Sequence, residues 1–213
     1  MKLENMTVNV LGDSITYGVG TSDPAHTWHG VLAAATGIRE VRNYGISGTR
    51  IARQIPPDIY CCDAAFVDRY TGMAEEADLV LVFGGTNDYG HGNAPFGTMA
   101  DRTEETLCGA CHRLFSGLIA RYPSARIVVM TPMQREGGSV PCPNTGLPLL
   151  AYVDALREIA GQYSLPVLDL YREAGICVDD PAQRELYCPD GLHPNDAGAA
   201  RIASRLEAFL RAL

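Results

Sequence analysis

A serine hydroxyl becomes a nucleophile at neutral pH only when a base takes its proton, and an imidazole serves best when an acceptor holds its other nitrogen. This 213-residue chain carries such a set near its two ends. Ser14 stands in Gly12-Asp13-Ser14-Ile15-Thr16, just past a short apolar run. Asp190 and His193 stand three apart in Asp190-Gly191-Leu192-His193-Pro194. A carboxylate three residues before a histidine on a turn can reach its ring, so His193 is the candidate base and Asp190 its orienter. Attack on an acyl carbon creates an oxyanion, which needs fixed N–H donors. The backbone of Ser14, a glycine of the Gly45-Ile46-Ser47-Gly48 turn and the side chain of Asn87 could supply them. Ser47 and Asp13 read as turn residues, Asp13 as a brace.

Residues so distant in sequence need a scaffold that gathers them. Apolar runs near residues 8, 42, 81, 128 and 168 read as strands, and helix-period segments alternate with them. That order predicts a parallel α/β sheet covered by helices on both faces. Leu79-Val80-Leu81-Val82-Phe83 is apolar throughout and is therefore expected at the centre. Gly12 is read as the point where the first strand breaks away, with a glycine-rich loop after it. Helices are expected from Trp28 to a stop at Gly37, over 101–122, from Leu149 to Tyr163, and at the C-terminus, where Ala199, Ile202, Leu206, Phe209 and Leu213 share a face. Pro56-Pro57 breaks the segment 50–77, and a helix is expected in the part ending at Glu75-Glu76. Ser14, the 45–48 turn and Asn87 all follow strands, so one edge of a parallel sheet would bring them together.

Composition narrows the class. Apolar residues make up 46% and charged residues 20%, and the net charge of −8 argues against a nucleic-acid partner. No run approaches the ~20 apolar residues of a membrane span. The N-terminus shows no secretory signal, which predicts a cytoplasmic protein with reduced thiols. Cys108-Gly109-Ala110-Cys111-His112 has the form of a haem-attachment motif, but Leu107, Cys111, Leu114 and Leu118 make one helical stripe, and the core reading prevails. No cofactor and no metal site is expected.

The four blocks Gly12-Asp13-Ser14-Ile15-Thr16, Asn43-Tyr44-Gly45-Ile46-Ser47-Gly48, Gly84-Gly85-Thr86-Asn87-Asp88 and Asp190-Gly191-Leu192-His193-Pro194 together resemble the SGNH, or GDSL, hydrolases. The resemblance runs from about residue 7 to the end. It implies a flavodoxin-like three-layer sandwich on a five-stranded parallel sheet, formed by residues 1–213 as a single domain. It also implies ester hydrolysis through an acyl-serine, with Ser14 as nucleophile, Asp190 and His193 as orienter and base, and Ser14, Gly48 and Asn87 as the oxyanion hole. The choice of Gly48 over Gly45 follows the family's pattern alone.

An α/β-hydrolase would need Gly-x-Ser-x-Gly, whereas Thr16 stands in the second glycine's place. A nucleotide-binding module would need a glycine-rich phosphate loop after the first strand. A carbohydrate-binding relative would lack a member of the triad. The expected substrate is a small-molecule ester with a short acyl group, first an O-acetyl group on a sugar. A lysophospholipase or thioester hydrolase would need an apolar groove, for which Phe96, Met99 and Met133 are the loop candidates. Arg135 and His91 are candidate substrate contacts. His26, His29 and His112 are set aside as bases because none is read as having a carboxylate at the spacing of the Asp190–His193 pair. The sequence leaves oligomeric state and the role of the loop 133–148 open.

Overall fold

The computed structural model describes residues 1–55 and 64–213. Five strands form one sheet: β1 (Thr7–Gly12), β2 (Glu40–Gly45), β3 (Leu79–Phe83), β4 (Arg126–Met130) and β5 (Val167–Leu168). All are parallel, in the order β2-β1-β3-β4-β5. The chain therefore moves outward one way from β1 to β2 and the other way from β1 through β3 to β5. Parallel sheets present their ligand crevice outside the carboxyl ends of the strands at that reversal. Here it lies between β1, which precedes Ser14, and β3, which precedes Asn87.

The side chains sort to two faces. Val80, Val82, Ile127 and Val129 point into one core, and Leu79, Leu81, Phe83, Val128 and Met130 into the other. Both faces are covered, so β1 and β3 are buried along their whole length. The first core is closed by α3 (Phe66–Arg69), α5 (Leu107–Arg121) and α6 (Leu149–Gln162). The second is closed by α2 (Trp28–Thr36) and α9 (Asp196–Ala212), which also pack on each other. Short helices α1 (Ser14–Tyr17), α4 (Thr86–Gly90), α7 (Leu170–Glu173) and α8 (Pro181–Tyr187) sit in the connections. Among the described residues no helix is long and apolar enough to cross a membrane.

Several boundaries differ from the sequence reading. Ser14 opens a helical turn rather than a loop. Gly12 ends β1 because α1 folds back over it: a Cβ there would lie 1.9 Å from Thr16 Oγ1. The helix expected from residue 101 begins at Leu107, because Thr106 caps it by accepting from Gly109 N–H, while Asp101 turns to Thr98 and Thr106 instead. Glu75 and Glu76 lie outside any helix, and the helix of that segment is α3. On α9 Leu210 is buried in place of Leu213, which is exposed. Cys108, Cys111 and His112 are buried, and the His112 ring meets the Tyr163 hydroxyl and Met99 O at 3.0 Å each, in keeping with the core reading. Cys108, Cys111, Cys142, Cys177 and Cys188 are free thiols. The Pro56-Pro57 break, Cys61 and Cys62 lie outside the described residues.

Candidate active site

The turn that follows β1 is built by its neighbours. Asp13 caps α1 by accepting from Ile15 N–H at 3.0 Å, which fixes the backbone on which Ser14 stands. Asp13 is buried, and burial pushes its carboxyl up to about 7, against the pull of the Ile15 N–H and with a further rise from Asp88. Arg69 ties the carboxyl ends of β1 and β2 together, donating to Gly12 O, Tyr44 O and Thr49 Oγ1. Asn43 donates to Thr16 O at 3.0 Å. Its place in the second block is thus a fastening to the serine turn.

His193 comes from the turn between α8 and α9, 179 residues from Ser14 in sequence. Its Nε2 lies 2.9 Å from Ser14 Oγ, and its Nδ1 lies 2.6 Å from Asp190 Oδ2. The other oxygen, Asp190 Oδ1, accepts from the N–H groups of Leu192 and His193 at 2.9 and 2.7 Å. One carboxylate therefore shapes the turn and holds the ring. Burial alone would raise Asp190, but the bonds from the His193 ring and from the two N–H groups outweigh it and keep the carboxyl below its usual range. With Nδ1–H given to Asp190, Nε2 is free to accept the serine proton. Gly20, at φ +95°, packs on this turn: a Cβ there would lie 2.6 Å from Pro194 O and 3.1 Å from His193 Cβ.

The three residues expected to serve an oxyanion follow the same strand ends. Ser14, Gly48 and Asn87 lie just beyond the ends of β1, β2 and β3, which are neighbours in the sheet. Gly48 takes φ +76°, a conformation that favours glycine and turns the backbone after Ser47. Asn87 is buried, and its amide donates one hydrogen to Thr49 O at 3.1 Å, leaving the second for a ligand. Asp88 is buried beside it and accepts from Ile51 and Ala52 N–H at 2.9–3.1 Å. Burial raises that carboxyl to about 6. Asp88, Arg69 and Asn43 are supports that sequence spacing alone did not mark.

Arg135 lies in the loop after β4 and donates from Nη1 to Thr86 O at 3.2 Å, beside Asn87. His91 is half-buried, with Nδ1 3.2 Å from Arg50 Nη1, and burial together with Arg50 lowers it to about 4, so it is neutral at pH 7. The loop 133–148 straps these parts together. Glu136 N–H donates to Gly191 O at 2.7 Å, and the Tyr89 hydroxyl donates toward Gly137 O and Val140 O at 2.6 and 2.8 Å.

Two readings of the sequence change. Asp23 stands three residues before His26, with its Oδ1 3.0 Å from His26 Nδ1, so the Asp190–His193 spacing is not unique. That pair is half exposed, and His26 meets Ser22 Oγ with the same Nδ1, at 3.2 Å. A single nitrogen cannot be held by the acid and also deprotonate the hydroxyl, so this set lacks the geometry of a relay. Second, of the groove candidates Met133 is buried in one core, whereas Phe96 and Met99 pack against the other and stay partly exposed.

Comparison with known proteins places this architecture. The model of the GDSL-like lipase/acylhydrolase family matches residues 10–201. A GDSL lipase of Mycobacterium tuberculosis is 28% identical over 93% of this chain and 79% of its own length. A solved structure from Lactobacillus plantarum is 33% identical, covers 98% of both chains and superposes with a TM-score of 0.84. A more distant one, an acetyl-xylooligosaccharide esterase variant from Geobacillus, is 19% identical over 99% of this chain and 96% of that one, with a TM-score of 0.64.

Proposed function

The chain belongs to the GDSL-like lipase/acylhydrolase family, and from that premise we propose that it is a serine esterase that removes a small acyl group, acetyl first, from a sugar hydroxyl. The observation that carries the chemistry is the chain of bonds from Ser14 Oγ through His193 to Asp190, at 2.9 and 2.6 Å. Ser14 Oγ attacks the acyl carbon while His193 Nε2 takes its proton. The N–H groups of Ser14 and Gly48 and the Asn87 amide hold the oxyanion. As the intermediate collapses, His193 returns the proton to the departing alcohol. A water, deprotonated in turn by His193, then frees the acyl-serine. Asp190 steadies the imidazolium at both steps.

The choice of acyl group rests on the surroundings. The distant fold likeness carries no substrate. What supports a short acyl group is that Met133 is buried, and that Phe96 and Met99 lean on the core and are only partly exposed. Arg135 and His91 are proposed as contacts to the substrate. A second reading, a longer acyl chain, draws on exposed Tyr17 at the end of α1 and exposed Ile46 just after β2.

Hydrolysis of p-nitrophenyl acetate, butyrate and octanoate by wild type and Ser14→Ala separates these. Acetate turnover lost in Ser14→Ala and falling steeply with chain length supports the small-acyl esterase. A rise toward octanoate favours the second reading. Turnover that survives in Ser14→Ala overturns the proposal, and labelling of Ser14 by a fluorophosphonate excludes a binding-only protein.

A further inference from the structure

Arg135 sits in a seat prepared for a cation. Its Nη1 donates to Thr86 O and Oγ1 at 3.2 and 3.3 Å, and its guanidinium carbon stands 5.7 Å from the centre of the Tyr89 ring. Position 90 is glycine, and a Cβ there would come within 2.5 Å of Nη1. The seat lies between two parts of the site, since Thr86 precedes Asn87 and the next residue, Glu136, is bonded to Gly191 in the His193 turn.

What the seat lacks is a counter-ion. Arg53, Arg172 and Arg184 each meet a carboxylate. Among the described residues none lies within 4.0 Å of Arg135, whose Nε is buried without a hydrogen-bond partner. Asp13 and Asp190 act on it only at longer range. An arginine keeps its charge when partly buried, and a desolvated charge without a partner is costly. The residue as a whole remains partly exposed rather than sealed in the core.

We propose that Arg135 recognises a carboxylate on the alcohol part of the substrate, so that the ester cleaved is that of an acidic hydroxy compound such as a sugar acid. This rests on the esterase reading above. An acetyl group is too small to carry a charge, so the anion belongs to the alcohol. The planar fork of guanidinium donors suits a carboxylate.

The test compares kcat/KM for 4-acetoxybenzoate and for its neutral methyl ester, in wild type, Arg135→Lys and Arg135→Gln, each checked for folding by circular dichroism. The expected ratio of anionic to neutral ester is about tenfold or more higher in wild type than in Arg135→Gln. Arg135→Lys should lie between, and added salt should shrink the wild-type ratio. Equal ratios in the three proteins overturn the proposal, as does discrimination confined to an anionic acyl group, read with mono(4-nitrophenyl) glutarate against 4-nitrophenyl acetate. Loss of both acetate esters in Ser14→Ala shows that the esterase reading stands even if the charge preference does not. Turnover retained in Ser14→Ala would bring down both.

Discussion

Ser14 Oγ and His193 Nε2 lie 2.9 Å apart although 179 residues separate them. In the proposed mechanism neither group acts alone, so their removal should not be additive. Ser14→Ala and His193→Ala are each expected to lower kcat by about 10⁴-fold or more, and the double variant no further. Steady-state kinetics on p-nitrophenyl acetate measure this, and losses that multiply would show that the two act separately.

Asn87 predicts a different signature. Its amide is already fixed by Thr49 O, so under the proposed mechanism the second N–H is preorganised for charge that develops during the reaction. Asn87→Ala should lower kcat by ~10²–10³ while KM moves only a few-fold. A change mainly in KM would assign Asn87 to ground-state binding instead.

Gly20 acts through the histidine. A methyl group there meets Pro194 O and His193 Cβ, and φ +95° adds strain. Gly20→Ala should therefore displace the imidazole and reduce kcat by about tenfold or more, with thermal stability falling by ~1–2 kcal/mol. Unchanged kcat in a destabilised protein would show that the turn can yield without moving the ring.

Asp13 sets a pH dependence of stability. Its folded value, about 7, stands above the unfolded value near 3.8, so the folded state binds the extra proton between them. The associated stability is fully present below about pH 4 and is lost as pH rises toward 7, with a slope of at most about 1.4 kcal/mol per pH unit. Asp13→Asn keeps a capping oxygen and should flatten that slope. Thermal melts from pH 4.5 to 7.5 test it, and parallel curves for the two proteins would contradict the assignment.

The strands and the four polar blocks were legible because their signals are local. Leu79–Phe83 could only be central, and the Asp190–His193 spacing itself encodes a turn that reaches the ring. The fastenings were not legible. Arg69 and Asp88 act on backbone groups from other segments, and nothing in their own neighbourhoods marks that reach. The start of α5 was misplaced because Asp101 and Thr106 are both competent caps, and the choice is made by where Thr98 lies. His26 carries the opposite lesson: Asp23 gives it the right spacing, yet both contacts fall on one nitrogen.

The strap at 133–148 holds the Asp190–His193 turn through Glu136 and the Asn87 helix through Tyr89 and Arg135, whereas Ser14 and Asn87 themselves follow closely on the ends of buried strands. Selection can therefore act on the two halves unequally. Drift in the strap that keeps the Glu136 bond to Gly191 can retune which alcohol is accepted while Ser14 and Asn87 stay where the sheet sets them. A lineage built on this scaffold is free to change its diet before it changes its chemistry. For directed evolution, diversity introduced at 133–148 is where new specificity should first emerge.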